Sequence, residues 1–277
     1  MNKVQGLTLV VAIAGLGLGA GLAAAIRSST GTSGKVQRLI HRGNGAEVVS
    51  TQDSQTDRTI ALEDDAEPGS DFYEFRQRLR AAVAQRDRTF VESVLPEQLP
   101  IGFSVPRSRD ALNLEESDSW FWAQLQKAID VGCSPAENPP TFDRVDADTQ
   151  IWVCPNVVQT FVSQFPPPEE VERVSWQSEQ AIVVGENVNV RSQPTLESEA
   201  IASVSNAVVT RDREQAENMQ QASGGEIDPI DGWTPVILAG DRRGYIYNQY
   251  VYTPLDYQIL FGKVEGDWQI LAMAGGE

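Results

Sequence analysis

The side chains that could perform nucleophilic or acid–base chemistry are sparse in this sequence. It contains a single histidine, His41, in a stretch without apolar periodicity. Catalytic triads and Cys–His pairs need an imidazole beside the nucleophile within a folded domain. No glycine-rich phosphate loop and no His-Glu-x-x-His zinc motif occurs. We therefore predict that this protein is not an enzyme and that it uses neither a cofactor nor a metal.

Carboxylates are plentiful, and they keep one catalytic alternative open. Asp143, Asp146 and Asp148 follow a D-x-x-D-x-D pattern that resembles part of a calcium loop. The pattern lacks the glycine and the distal glutamate of an EF-hand, so an acidic loop in water is the simpler interpretation. A glycosidase would need two carboxylates on opposite sides of a sugar. An enzyme that relies on carboxylates alone is therefore the remaining catalytic alternative.

Two cysteines, Cys133 and Cys154, are the only thiols in the chain. In an oxidising compartment such a pair commonly forms a disulfide, and closing this loop would add roughly 3 kcal/mol of stability. Two buried free thiols are the alternative. A metal site needs further ligands, and neither a Cys-x-x-Cys spacing nor a nearby histidine supplies them.

The overall charge excludes some partners. The chain carries a formal net charge of -17, and the acidic residues are spread over the predicted folded parts. Nucleic-acid binding depends on clustered lysine and arginine, as does attraction to anionic lipid headgroups. We therefore expect no nucleic-acid partner.

The N-terminus predicts export from the cytoplasm. No charged residue lies between Lys3 and Arg27, and as a helix this apolar stretch would be about 34 Å long. Residues 1–26 are therefore a signal peptide or a transmembrane helix that anchors the protein in the membrane. Residues 27–70 are rich in Ser, Thr, Gly, Gln and Asp, which predicts a disordered spacer. The folded part would be periplasmic or extracellular.

Helical patterns begin at residue 71. Phe72, Phe75 and Leu79 share one face after a cap at Ser70 or Asp71, and a second short helix ends at Pro96. A third helix, capped by Ser117 or Ser119, contains Trp120 and Trp122, which cannot share one face. Residues 151–162 are interpreted as a buried strand pair or as a strand plus a turn.

From residue 178 the pattern changes to short strands separated by Gly, Asn, Asp and Pro, which predicts a small antiparallel barrel or sandwich. Two more alternating strands flank a turn at Glu265 and Gly266 near the C-terminus. This hairpin returns to the helical part or, alternatively, extends the sheet of the barrel. The predicted fold is thus an α+β domain, 71–165 plus 256–274, interrupted by an all-β unit over 178–254.

The sequence of residues 188–251 resembles the bacterial SH3-like (SH3b) family. The family has Asn-Val-Arg-Ser, then a strand that begins with Gly-Trp, and last another strand that begins with Gly-Trp. Asn189–Ser192, Gly232–Trp233 and Gly244–Tyr245 stand at these places in order, with Tyr245 for the last tryptophan. Gln193 stands where the family has a glycine. The segment 211–231 is longer than the corresponding family loop, and we predict a flexible acidic insertion there.

The resemblance implies an SH3-like barrel that binds peptidoglycan stem peptides at the cell envelope. Alternation along the strands leaves aromatic rings for an outer face that suits an extended peptide. The predicted ligand-binding residues are Asn189, Arg191, Trp233, Tyr245, Tyr247 and Tyr250. The alternative is a scaffold or adaptor that binds an envelope protein and touches no glycan. Ordinary core and surface roles for the same tyrosines are the simplest alternative of all.

Overall fold

The structure, a computed structural model, describes residues 58–102, 104–225 and 227–275. The helices among these residues are α1 (Asp71–Ala84), α2 (Arg88–Ser93), α3 (Trp120–Asp130), α4 (Val157–Gln164), α5 (Arg173–Ser178) and α6 (Arg213–Ala222). The strands are β1 (Arg58–Thr59), β2 (Gln98–Leu99), β3 (Arg107–Ser108), β4 (Ser134–Pro135), β5 (Trp152–Cys154), β6 (Gln180–Val183), β7 (Val188–Arg191), β8 (Ala200–Val204), β9 (Ala207–Arg211), β10 (Trp233–Leu238), β11 (Arg242–Tyr247), β12 (Val251–Tyr252), β13 (Gln258–Val264) and β14 (Asp267–Ala274).

The strands form antiparallel sheets. One sheet has the order β14-β13-β5-β4, a larger one has the order β12-β6-β9-β10-β11-β7-β8 with β1 added to β9, and β2 pairs with β3. The prediction of helices combined with antiparallel sheets is therefore confirmed. A small barrel was expected over 178–254, but the order of the larger sheet runs from β12 to β8 and does not close, since each of these two strands has one partner among the described residues.

The first core lies between α1, α3 and the four-stranded sheet. Ser70 caps α1 by accepting a hydrogen bond from the Tyr73 amide at 3.3 Å. Phe72 is buried and stacks on Trp152 of β5 with ring centroids 4.4 Å apart. The hairpin β13–β14 pairs with β5 through Phe261, which is opposite Trp152. The C-terminal hairpin therefore shares a sheet with residues 134–154, and the eight-stranded sheet contains neither of its strands.

The two cysteines are at disulfide distance, which confirms the predicted pair. Cys133 follows α3 and Cys154 ends β5, with their Cα atoms 4.5 Å apart. Both are fully buried in the first core. The bond ties the end of a helix to the strand that the C-terminal hairpin extends.

Residues 58–70, predicted as the end of the spacer, are ordered in the structure. Ile60 is 2% exposed, and β1 pairs with β9. Asp64 accepts a hydrogen bond from the Arg76 guanidinium, Nη1–Oδ1 2.9 Å, and another from the Cys133 amide at 3.1 Å. Single buried apolar residues and one ion pair hold residues 58–70 to the folded part. The polar composition of this segment did not indicate these contacts.

The eight-stranded sheet covers one of its own faces. The buried residues of this face come only from its strands and are Ala181, Val183, Val188, Val190, Val209, Val236, Leu238, Ile246 and Val251. Since no helix among the described residues contributes to this cluster, we infer that the sheet bends over itself to exclude water from these side chains. Its other face packs on α4 and α5, where Phe161 and Trp176 stack at 4.9 Å.

Two segments differ from the sequence prediction. Residues 157–164 form α4 instead of the predicted second strand or turn, and their buried Val157 and Phe161 have the i, i+4 spacing of a helix. The predicted flexible insertion 211–231 contains α6, whose capping Asp212 accepts hydrogen bonds from the Gln215 amide at 3.2 Å and from the Arg243 guanidinium at 2.6 Å. A cap and a charge pair fix this segment although few of its residues are apolar.

The predicted leader, residues 1–26, and the spacer as far as residue 57 lie outside the described residues. Within the described part of the chain, no helix combines the length and the apolar character that crossing a membrane requires.

Candidate functional site

A groove of about 320 Å³ opens at one end of the eight-stranded sheet. We call it the aromatic groove, and its lining residues are Gly185, Glu186, Asn187, Val188, Asn189, Arg191, Leu196, Trp233, Tyr247, Gln249 and Tyr250. They come from the β6–β7 turn and β7, the β7–β8 loop, the first residue of β10 and the end of β11 with the turn after it. Parts of the chain that are distant in sequence therefore converge on one surface.

The aromatic wall depends on the register of β10 and β11. Trp233 lies directly opposite Tyr247 in this pair, and their ring centroids are 5.4 Å apart. Tyr250, in the 3-10 turn after β11, is 41% exposed. Aromatic rings that pack on each other at one edge and meet water at the other offer a stacking surface for a ligand.

Two glycines allow these strands to approach their neighbours. A Cβ at Gly232 would lie 2.4 Å from the Asp228 carbonyl oxygen, and one at Gly244 would lie 2.7 Å from Cγ1 of Val190. Neither position has room for a side chain. The Gly-Trp and Gly-Tyr pairs of the sequence therefore have a steric origin, since each glycine lets the aromatic residue beside it reach its place.

The polar wall of the groove is built by β7. Val188 and Val190 are buried, while Asn189 between them is exposed. The Arg191 guanidinium donates a hydrogen bond to the Ser198 carbonyl oxygen, which holds the β7–β8 loop beside the strand. In the same loop the Ser198 hydroxyl donates to the carbonyl oxygen of Gln193 at 2.8 Å. The loop is thus closed by side-chain contacts at the point where the family pattern has a glycine.

Tyr247 is held in its neutral form at the rim of the groove. Its hydroxyl donates a hydrogen bond to Oδ1 of Asp231, the residue before Gly232. This hydrogen bond, with smaller effects from burial and from the charges of Asp231 and Asp228, raises the pKa of Tyr247 to about 12. A fixed, uncharged ring is suited to stacking on a ligand. The hydrogen atom of its hydroxyl is already donated to Asp231.

The structure brings five of the six predicted ligand-binding residues together in this groove: Asn189, Arg191, Trp233, Tyr247 and Tyr250. Tyr245 is not among the lining residues; it lies half-buried in β11, opposite Arg191 and Pro235.

Sequence reasoning missed Glu186, Leu196 and Gln249. Leu196 had a detectable signal, because it is an isolated large apolar residue in a polar loop and is 58% exposed.

Asp146 and the two tryptophans of α3, which were also considered for chemistry or binding, have structural contacts. Asp146 accepts hydrogen bonds from the amides of Glu265 at 2.8 Å and Gly266 at 2.7 Å, so it caps the hairpin turn. Among the described residues, no group of three or more His, Cys, Asp and Glu side chains is arranged to hold a metal ion. Trp122 is fully buried and donates to the Leu114 carbonyl oxygen at 3.2 Å, whereas Trp120 is half-buried against Tyr257.

The groove therefore offers one arginine, one exposed glutamate and three aromatic rings, all open to water on one side. Such a set can stack on, hydrogen-bond to and neutralise a bound molecule. No protein-family model, no curated protein and no solved structure matches this chain.

Proposed function

We propose that this chain is a binding protein of the cell envelope, and that its eight-stranded sheet is an SH3-like unit which binds the stem peptide of peptidoglycan. It acts by contact and performs no reaction. The convergence of five predicted residues on the aromatic groove is the observation that carries this proposal.

The proposal of an SH3-like unit is supported by the roles of the motif residues. Val188 and Val190 point into the self-covered face, and Gly232 and Gly244 stand where a Cβ would clash. An open strand order is compatible with a barrel-like unit if the sheet bends strongly enough, as the shared core of its strands requires. The two glycine-aromatic pairs would then shape the mouth of the unit.

A peptide ligand fits the chemistry of the groove. Trp233, Tyr247 and Tyr250 offer apolar faces that lose little conformational entropy on binding. Arg191 would pair with a carboxylate of the ligand, and Glu186 would pair with an amine. A stem peptide carries both groups within a few residues, so both charged residues of the groove could be used.

The charge of the protein supports binding by short-range contacts. The net charge of -17 repels an anionic wall at long range. Salt screens this repulsion, whereas the stacking of aromatic rings in the groove depends far less on the salt concentration. We therefore expect affinity for peptidoglycan to hold or to rise between low and moderate salt, which is the reverse of the behaviour of a basic wall-binding protein.

The predicted leader and the disulfide support an envelope location. The proposal places the folded part outside the cytoplasm, either anchored in the inner membrane by residues 1–26 or released after their cleavage. The pair Cys133–Cys154 is suited to an oxidising compartment.

Sedimentation of the full chain with purified peptidoglycan sacculi tests the proposal. The wild type should sediment with sacculi, and Tyr250→Ala and Arg191→Gln should each reduce the bound fraction. Val174→Ala and Arg173→Gln are matched controls, because these residues are exposed on α5 outside the groove. The proposal is contradicted if the wild type does not sediment, or if the control variants lose as much binding as the groove variants.

A scaffold that binds an envelope protein is the second candidate, and one observation favours it. β8 is an end strand of the larger sheet and pairs only with β7 among the described residues. An unpaired strand edge can accept a strand from another protein. If the sacculus experiment fails, a Pro substitution at Ser203 of β8 that prevents capture of a partner would support this candidate.

A further inference from the structure

A second cavity, of about 410 Å³, lies between α3, α6 and the segment that follows β12. We call it the Arg211 cavity. Lys127 of α3, Arg211 at the end of β9 and Asp256 supply its charged groups. Its apolar walls include Trp233, Pro235, Leu255 and Tyr257, and two glutamine side chains stand beside them. Apolar walls around a few charged groups are typical of ligand sites in proteins.

The Arg211 guanidinium has no protein partner within the described residues. Its backbone amide donates to the Glu179 carbonyl oxygen at 2.8 Å, but no hydrogen bond or ion pair of the side chain is found there. Arg211 is half-buried, and burial lowers its pKa more than the carboxylates of Asp256 and Glu217 raise it. Shielding a guanidinium from water without a paired anion costs free energy. An anion from outside the protein would remove this cost.

The nearby carboxylate is engaged elsewhere. Both oxygens of Asp256 accept hydrogen bonds from Thr253, from its amide at 3.0 Å and from its hydroxyl at 2.8 Å. The Lys127 ammonium lies 3.6 Å from Oδ2 of Asp256 and 5.0 Å from the ring centre of Tyr252. The charged residues that line the cavity are thus two cations and one carboxylate, in a protein whose net charge is -17.

We propose that the Arg211 cavity binds the carboxylate of a ligand whose adjoining part is apolar, and that this ligand is the C-terminus of a peptide. A guanidinium binds a planar carboxylate through two parallel hydrogen bonds. This geometry favours a carboxylate over an anion that can accept only one hydrogen bond from the guanidinium. The last side chain of the peptide would lie against Pro235, Leu255 and Tyr257. Trp233 lines both this cavity and the aromatic groove, so its indole reports on either site.

The test uses the full chain with N-acetyl-leucine and N-acetyl-leucinamide as probes. The two compounds differ only in the carboxylate, and titration is followed by the indole N–H signal of Trp233 in ¹H–¹⁵N spectra, assigned with Trp233→Phe. We expect N-acetyl-leucine, at concentrations up to about 10 mM, to shift the signal in a saturable way, as a minimal ligand should. N-acetyl-leucinamide should not shift it.

Variants separate Arg211 from general charge effects. Arg211→Gln should weaken the binding of N-acetyl-leucine by about tenfold or more, since a charge-assisted pair is lost. Arg211→Lys should retain part of the affinity, while Arg173→Gln, a change of equal charge on an exposed residue, should retain all of it. Tyr250→Ala should leave this binding unchanged, because Tyr250 belongs to the aromatic groove alone.

Three results would overturn the inference. One is a wild-type titration in which neither probe shifts the Trp233 signal. Another is equal binding of the acid and the amide, which would show that the carboxylate is not recognised. The third is loss of binding in Arg173→Gln to the same extent as in Arg211→Gln. If Arg211→Gln fails to fold, the two probes are compared in Tyr250→Ala, whose aromatic groove is altered, and loss of the carboxylate-dependent shift in that variant would overturn the inference.

Discussion

Replacing Asp64 with Asn should destabilise the protein by leaving a buried charge without its partner. Arg76 is 1% exposed, and its guanidinium is paired with the carboxylate of Asp64, whose side chain is 38% exposed. Breaking a fully buried pair costs about 3–5 kcal/mol. Because water reaches Asp64, the cost here should fall below that range, and we expect a loss of about 2 kcal/mol.

Urea unfolding of the full chain measures this loss. Asp65→Asn is the matched control, because Asp65 is exposed and makes no side-chain hydrogen bond among the described residues; it should change the free energy of unfolding by less than about 0.5 kcal/mol. Arg76→Met combined with Asp64→Asn should recover part of the loss, since the buried charge is then absent.

The same pair should make stability depend on pH. Burial raises the pKa of Asp64, but hydrogen bonds from Arg76 and from the Cys133 amide outweigh it, so the pKa is lower than usual. A carboxyl with a lowered pKa in the folded state stabilises the protein above its unfolded pKa of about 3.9 and loses that contribution as the pH falls. The difference between the wild type and Asp64→Asn should therefore shrink below about pH 4. Equal stabilities of Asp64→Asn and Asp65→Asn at neutral pH would refute the reasoning.

Three further predictions concern other parts of the fold. Reduction of the disulfide should lower the free energy of unfolding by roughly 3 kcal/mol, as judged by urea unfolding with and without reductant. Gly232→Ala and Gly244→Ala should each cost about 1–3 kcal/mol because the added methyl group has no room, whereas Gly240→Asn, at an open left-handed position (φ 71°), should unfold like the wild type. In an absorbance titration, Tyr247 should ionise near pH 12, and Asp231→Asn should lower its pKa toward 10; since the folded-state pKa is raised, the stabilisation exists below pH 10 and is lost between pH 10 and about 12.

The periodic helices of the first core were predictable from sequence alone. Phe72, Phe75 and Leu79 repeat at helical spacing after a capping serine, and all three are buried in α1. The disulfide was predictable because no other thiol competes for either cysteine. The alternating strands of 178–254 were recognisable as well, since β-branched residues and turn residues mark them.

The structure differs from the sequence predictions mainly where a polar segment is held in place by only a few residues. Residues 58–70 contain only single buried apolar residues, and their attachment depends on Asp64 meeting Arg76, a contact that composition does not reveal. The α6 segment is polar and is fixed by Asp212. The run of residues 151–162 is apolar enough for a strand or a helix, and tertiary packing of Val157 and Phe161 decides in favour of the helix.

Part of the candidate site was visible in the sequence, and part was not. The aromatic residues and Arg191 stand in recognisable motifs. Tyr245 shares a face with Tyr247 by alternation, yet it does not line the groove. It lies half-buried, paired with Arg191 of β7 and Pro235 of β10. Glu186 and Gln249 lie in two different turns. These turns come close together only when the whole sheet has formed, so the sequence did not indicate that both residues line the groove.

Chemical-shift mapping with a soluble stem peptide tests the central claim most directly. The peptide is titrated into the ¹⁵N-labelled full chain, and the perturbed amide and indole signals are assigned. The proposed function predicts saturable shifts at Trp233, Arg191 and Tyr250, and their loss in Tyr250→Ala. An absence of shifts in the wild type, or shifts confined to residues of the first core such as Trp152, would contradict it.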